Sequence, residues 1–84
     1  MFTERQQNIL EVLRQHREGV TSDEIARLVG VSSKTIRTDI KTLTTVLSAE
    51  IAVIHVSMRH GYELEVRDDK ALSELLQGQE HQLL

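Results

Sequence analysis

Residues 21–47 read TSDEIARLVGVSSKTIRTDIKTLTTVL, and this stretch decides the architecture. Thr21 followed three residues later by Glu24 has the form of a capping box, in which each side chain satisfies a backbone N–H of the other residue. A helix is expected from Ser22 to about Val29, burying Ile25, Ala26, Leu28 and Val29. Gly30 can take the left-handed backbone that residues with a Cβ avoid, so Gly30 and Val31 make a turn. Ser32 then caps a longer helix over 33–47, where its hydroxyl can accept an orphan backbone N–H.

A helical wheel separates two faces of that longer helix. Advancing about 100° per residue from Ile36, the positions of Ile40, Leu43 and Leu47 all fall within roughly 40° of it. Lys34, Arg37, Thr38, Lys41 and Thr45 gather on the opposite arc, and Asp39, the helix's one acid, lies off that arc. Ala26, Gly30 and Ile36 therefore stand at the spacing of a helix-turn-helix: a small residue at the contact, a glycine in the turn, an isoleucine locked inward. The chain has 13 acids against 10 bases, so the absence of carboxylates from one exposed arc points to a surface for nucleic acid.

Upstream, Thr3 and Gln6 form another capping box, and a helix is expected to run to about Arg17. Ile9, Leu10 and Leu13 form its buried stripe, Arg5, Glu11, Arg14 and Glu18 stay in solvent, and Gly19 stands where glycine ends helices. Downstream, the period becomes two. Ile54, Val56 and Met58 alternate, as do Tyr62, Leu64 and Val66, with Arg59-His60-Gly61 between them as a tip. That is an antiparallel hairpin with one buried face, and two strands alone must lean on the helices. Asp68 or Asp69 caps a last helix with Ala71, Leu72, Leu75 and Leu76 at helical spacing; Gly78 is expected to end it, leaving Gln79 to Leu84 as a frayed tail.

Composition narrows the function. Eighty-four residues suffice for one small core. Without cysteine there is neither a disulfide nor a thiolate metal site, which fits a cytoplasmic location. No apolar run is long enough to span a bilayer, Met1 reads as a native start, and no signal sequence follows it. Phe2 and Tyr62 are the only aromatics, which argues against RNA or single strands held by base stacking. The net charge of −3 is uneven: residues 63–84 hold six acids and two bases, whereas residues 1–62 hold eight bases and seven acids.

Duplex DNA is thus the expected partner, and each exposed side chain has a role to play. Ser32, Ser33 and Thr35 lie at a helix N-terminus, whose N–H groups and positive dipole end favour a phosphate. Lys34, Arg37 and Lys41 can each reach a phosphate or the O6/N7 edge of guanine, with Arg37 the first choice for a base contact. Thr38 can touch a thymine methyl or accept a hydrogen bond from a base. Arg59 and His60, at the hairpin tip, are expected on the adjacent groove or backbone. His16, His55, His60 and His81 fall in separate elements with no metal-ligand spacing, and no nucleophile is paired with a base. No enzyme activity, metal or cofactor is expected.

The order of elements and several motifs bear a likeness to a known group. Arg5-Gln6-Gln7-Asn8-Ile9-Leu10, Thr21-Ser22-Asp23-Glu24-Ile25-Ala26, Val31 through Ile40, Leu43 and Gly61-Tyr62-Glu63-Leu64 carry the likeness, which covers residues 3–66. The chain resembles the N-terminal winged-helix domain of bacterial transcription regulators. Within them it is nearest the activator and antiterminator-like family with later PTS regulation domains, which governs sugar-uptake operons. The DNA-binding domain of the biotin operon repressor is similar too. Such relatives often carry Arg where this chain has Ser33 and Thr38, which leaves fewer phosphate contacts here. The resemblance implies that these residues are one end of a longer protein.

The expected fold is α+β, a winged helix-turn-helix: a three-helix bundle, a two-stranded wing and a C-terminal helix. Residues 1–67 form the DNA-binding domain, and residues 68–84 close the core, form a dimer contact or lead to a regulatory domain. The expected function is sequence-specific binding of operator or promoter DNA, as a homodimer on repeated half-sites, with helix 33–47 in the major groove and the wing tip 59–61 beside it. The alternative is a winged helix that serves as a protein–protein contact.

Overall fold

The computed structural model describes residues 2–81, with side chains as far as Leu76. Three helices, α1 (Glu4–Gln15), α2 (Ser22–Val29) and α3 (Ser33–Val46), precede strands β1 (Ala52–Ser57) and β2 (Gly61–Val66), and α4 (Asp69–His81) follows. This is the α+β winged helix-turn-helix that the periodicities predict. Among the described residues, no helix is long and apolar enough to cross a membrane.

Each helix begins where a cap permits it. Thr3 accepts from the Gln6 N–H while the Gln6 side chain returns to the Thr3 N–H, so the first capping box is complete. The second is half made. Thr21 Oγ1 accepts from the Glu24 N–H at 3.2 Å, but the Glu24 carboxylate turns to Arg27 instead. Asp68 caps α4, accepting from the Ala71 N–H at 3.0 Å. Gly30 closes α2 at φ +89°, with its N–H on the Ala26 carbonyl.

The bundle buries Ile9, Leu10 and Leu13 of α1, Ile25 and Ala26 of α2, and Ile36, Ile40 and Leu43 of α3. Ala52 and Ile54 enter from β1, and Leu72 and Leu76 of α4 complete the core. One charged side chain is buried with them: Asp39, 7% exposed, takes the guanidinium of Arg5 through both carboxylate oxygens. Arg5 itself stays exposed, as expected, while its guanidinium reaches over this carboxylate.

β1 and β2 pair antiparallel from Ala52↔Val66 to Ser57↔Gly61. The other edge of β2 is also occupied. Val20, in the segment between α1 and α2, exchanges both backbone hydrogen bonds with Tyr62, at 2.9 and 2.7 Å. Tyr62 thus sits between Val56 and Val20. Gly61 makes this approach possible, since a Cβ on it would overlap the Val20 carbonyl.

Several expectations need correction. α1 stops at Gln15 with His16 as its C-cap, so Gly19 does not end the helix. Gly19 instead takes φ +106° beneath the wing, where a Cβ would lie 2.6 Å from the His60 carbonyl oxygen. Leu28 is 51% exposed, because α2 turns Ile25 and Ala26 toward its neighbours and leaves the Leu28 edge in solvent. The helix expected over 33–47 ends at Val46, with Leu47 as its cap. The hairpin does not bury one whole face: Ile54 is inside, but Val56 is 74% exposed and Met58 fully so, since the hairpin projects beyond the bundle. α4 continues through Gly78 to His81, as an interior glycine costs a helix only about 1 kcal/mol. Of the expected tail, residues 82–84 lie outside the described residues.

Candidate nucleic-acid interface

The exposed arc of α3 forms one wall of an open groove, with the wing as the other. Lys34, Arg37, Thr38 and Lys41 line it together with Thr44 and Thr45, and Val56 and Tyr62 face them from the hairpin. Helical geometry brings these α3 residues together, because positions 34, 38, 41 and 45 succeed one another on one side of the helix. The inward lock is Ile36, fully buried, with Ile40 and Leu43 along the same stripe.

The groove gathers three cations that no carboxylate offsets, a state that Arg17, Arg59 and Lys70 share singly elsewhere among the described residues. Arg5, Arg14, Arg27 and Arg67 each engage a carboxylate: Asp39, Glu11 and Asp69, Glu24, and Glu65 respectively. Lys34, Arg37 and Lys41 have no carboxylate partner among the described residues. α3's own acid, Asp39, is buried on the other side and already neutralised by Arg5. The groove is therefore cationic without internal compensation, although the chain as a whole carries −3.

The helix N-terminus is arranged differently. Ser32 Oγ accepts from the Thr35 N–H at 3.2 Å and lies 3.0 Å from the Thr35 hydroxyl, so both side chains serve the cap. Ser33 donates its hydroxyl to Asp23 of α2, which places a carboxylate beside the first turn of α3. None of Ser32, Ser33 and Thr35 lines the groove.

The wing tip separates from the groove in the same way. Ser57 Oγ accepts from the N–H groups of Arg59 and His60, both at 3.2 Å, and so fixes the turn. Arg59 is exposed at the tip. His60 leans over Gly19 and shares a hollow with His16, Glu18 and Glu24. Of the nine residues singled out in the sequence, the structure gathers Lys34, Arg37, Thr38 and Lys41 into one groove and places Ser32, Ser33, Thr35, Arg59 and His60 outside it.

Val56 and Tyr62 are groove residues that sequence reasoning missed. The alternation of Val56 with Ile54 marked it as core; only the register, with Val56 opposite Tyr62 beyond the bundle, puts it at the groove. On the outer side of the wing, His55 Nε2 lies 2.6 Å from Glu65 Oε1, and Arg67 Nε donates to Glu65 Oε2 at 3.1 Å. The bond from His55, aided by Arg67, holds the Glu65 carboxyl below the usual carboxylate range. Glu24 is likewise lowered, chiefly by the bond from Arg27.

Comparison with known proteins places the chain in a family. A probable licABCH operon regulator of Bacillus subtilis (strain 168) is 34% identical over 79 residues, covering 94% of this chain and 12% of the relative. The chain thus spans about an eighth of that relative's length. No solved structure matches the chain. The family profile described as "HTH domain" matches residues 5–63, from the first turn of α1 into β2, and takes in both helices of the turn, the basic groove and most of the wing. The chain belongs to that HTH domain family.

Proposed function

We propose that this chain binds double-stranded DNA in a sequence-specific way, as the DNA-reading part of a transcription regulator. α3 enters the major groove, with Arg37 directed at a guanine edge and Lys34 and Lys41 at a base or phosphate. The wing lies along the neighbouring backbone, with Arg59 and His60 nearest the adjacent groove. Ser32, Ser33 and Thr35 meet a phosphate through the N–H groups of the α3 N-terminus. The observation that carries this reading is the set of three cations on one exposed face, none matched by a carboxylate among the described residues, in a chain of net negative charge. Such a face gains free energy by releasing counterions from DNA.

The relative named as an operon regulator supports a role in transcription, and its greater length supports placing this chain within a larger regulator. In that setting, α4 leads toward the remainder, PTS-type regulatory domains govern the response, and binding occurs as a homodimer on repeated half-sites in the cytoplasm. The experiment is a titration of the chain with promoter-like and random duplexes at several salt concentrations. Binding that weakens steeply with salt is expected. The absence of any salt-dependent binding would leave the protein–protein alternative, which the exposed Val56 and Met58 favour.

A further inference from the structure

α3 holds five threonines in 14 residues: Thr35, Thr38, Thr42, Thr44 and Thr45. Four of them turn their hydroxyls back along the helix. Thr38 Oγ1 donates to the Lys34 carbonyl at 3.1 Å, Thr42 to Thr38 at 3.2 Å, Thr44 to Ile40 at 2.8 Å and Thr45 to Lys41 at 3.2 Å. A hydroxyl has one proton to give. In these four residues it is spent inside the helix, and what remains for a ligand is the γ-methyl and the oxygen lone pairs.

Thr38 is the member of this set that stands among the cations. It is exposed, lines the groove, and lies on the α3 face between Lys34 and Lys41, next in sequence to Arg37. With Oγ1 drawn back to the Lys34 carbonyl, the γ-methyl is the branch of this exposed side chain not engaged within the helix. In the major groove, thymine alone presents a methyl, at C5, and guanine presents only acceptors at N7 and O6. A threonine with no proton to donate is poorly suited to guanine and well suited to thymine.

We propose that Thr38 is a specificity-determining residue that reads the 5-methyl of thymine by methyl–methyl contact, and that hydrogen-bond donation to base edges from this face belongs to Lys34, Arg37 and Lys41 alone. This rests on the DNA-binding reading above and narrows it to one base pair. The Thr38 oxygen can still accept from the amino group of a neighbouring adenine or cytosine.

The test uses the full chain and a duplex selected by it from a randomised pool. Each thymine of the selected duplex is replaced singly by deoxyuridine, which removes the 5-methyl and leaves base pairing intact. One thymine in each half-site is expected to lose about fourfold in affinity on replacement, the value of one methyl withdrawn from water at ~0.8 kcal/mol. Thr38→Val keeps the methyl in valine's favoured helical rotamer and drops the hydroxyl, so it retains the roughly fourfold deoxyuridine penalty whatever its overall affinity. Thr38→Ser keeps the hydroxyl and drops the methyl, so it binds the two duplexes equally. Circular dichroism checks that both variants fold. The proposal is overturned by indifference of the unaltered chain to every deoxyuridine, by disappearance of the penalty in Thr38→Val, or by a persistent penalty in Thr38→Ser. Salt-dependent binding without a deoxyuridine penalty removes this inference alone, whereas no salt-dependent binding removes the DNA reading with it.

Discussion

Arg5, in the first turn of α1, clasps Asp39, in the middle of α3, with Nε and Nη2 meeting the two carboxylate oxygens. The pair joins residues 34 positions apart and pins the rotation of α3 about its own axis. That rotation decides whether Arg37 and Lys41 face the groove. It also removes the helix's one carboxylate from the side where it would oppose a phosphate.

Asp39→Asn is expected to lower the melting temperature by roughly 4–8 °C, the response of a domain of this size to a modest local loss. The amide cannot accept from Arg5 through both of its terminal atoms. DNA affinity should fall as well, even though Asp39 is not a groove residue. Thermal melts beside binding titrations check both parts; an unchanged melt with unchanged affinity would show that the clasp does not orient α3.

Two glycines with similar positive φ should respond differently to alanine. Gly30, at φ +89°, has open space where a Cβ would go, so Gly30→Ala costs only the left-handed strain of about 1–2 kcal/mol. Asparagine, which tolerates that region, should recover part of the loss. Gly61, at φ +80°, abuts the Val20 carbonyl, so Gly61→Ala carries that strain and also parts the Val20–Tyr62 pairing. Gly61→Asn brings no recovery. Urea denaturation of the four variants ranks them.

The groove cations and the wing wall can be separated by salt dependence. Lys34→Ala, Arg37→Ala or Lys41→Ala should each reduce the slope of log K against log salt by about 1 where that residue meets a phosphate. Val56→Glu places a carboxylate against the same groove and should weaken binding by at least about tenfold, since a like charge there costs upward of ~1.4 kcal/mol. Because Val56 is largely exposed, its replacement should leave stability within about 0.5 kcal/mol. A substantial fall in stability would instead mark the wing wall as part of the core.

Acid should loosen the wing slightly. The Glu65 carboxyl titrates lower in the folded chain than in the unfolded one, owing first to the bond from His55 and then to Arg67. A lowered carboxyl contributes stability above the unfolded value, near 4.3, and that contribution is lost as pH falls through the folded value. Glu65→Gln should therefore be less stable than the unaltered chain at neutral pH and match it in strong acid. Melts across this range test the sign; the effect is small because the pairs are exposed.

What could be read in the sequence was whatever repeats or caps. The α3 stripe of Ile36, Ile40 and Leu43 recurs with the helical period, and Thr3, Thr21, Ser32 and Gly30 stand at helix ends, so the helix-turn-helix and its cationic face followed. What could not be read depends on single long-range contacts. The Arg5–Asp39 clasp and the Val20–Tyr62 pairing carry no period, and neither leaves a local trace. Val56 was misplaced for a related reason: alternation tells which face a residue takes, not how far the bundle extends beneath it. Ser33 had a partner, Asp23, ten residues away, and the N-terminus of α3 was thus less open than its residue types implied.

The pairing of Val20 with Tyr62 makes the wing a bracketed beam. Its root is fixed where the N–H groups of Arg67 and Asp68 meet the Ile51 carbonyl, and a second fastening stands at Tyr62, one residue from the tip. Only Ser57 through Gly61 overhang that fastening, and Ser57 ties its own turn. A beam held at both points has little freedom to surrender when a partner arrives. The spacing between wing and α3 is preorganised, and the shape of whatever fits between them is set before contact.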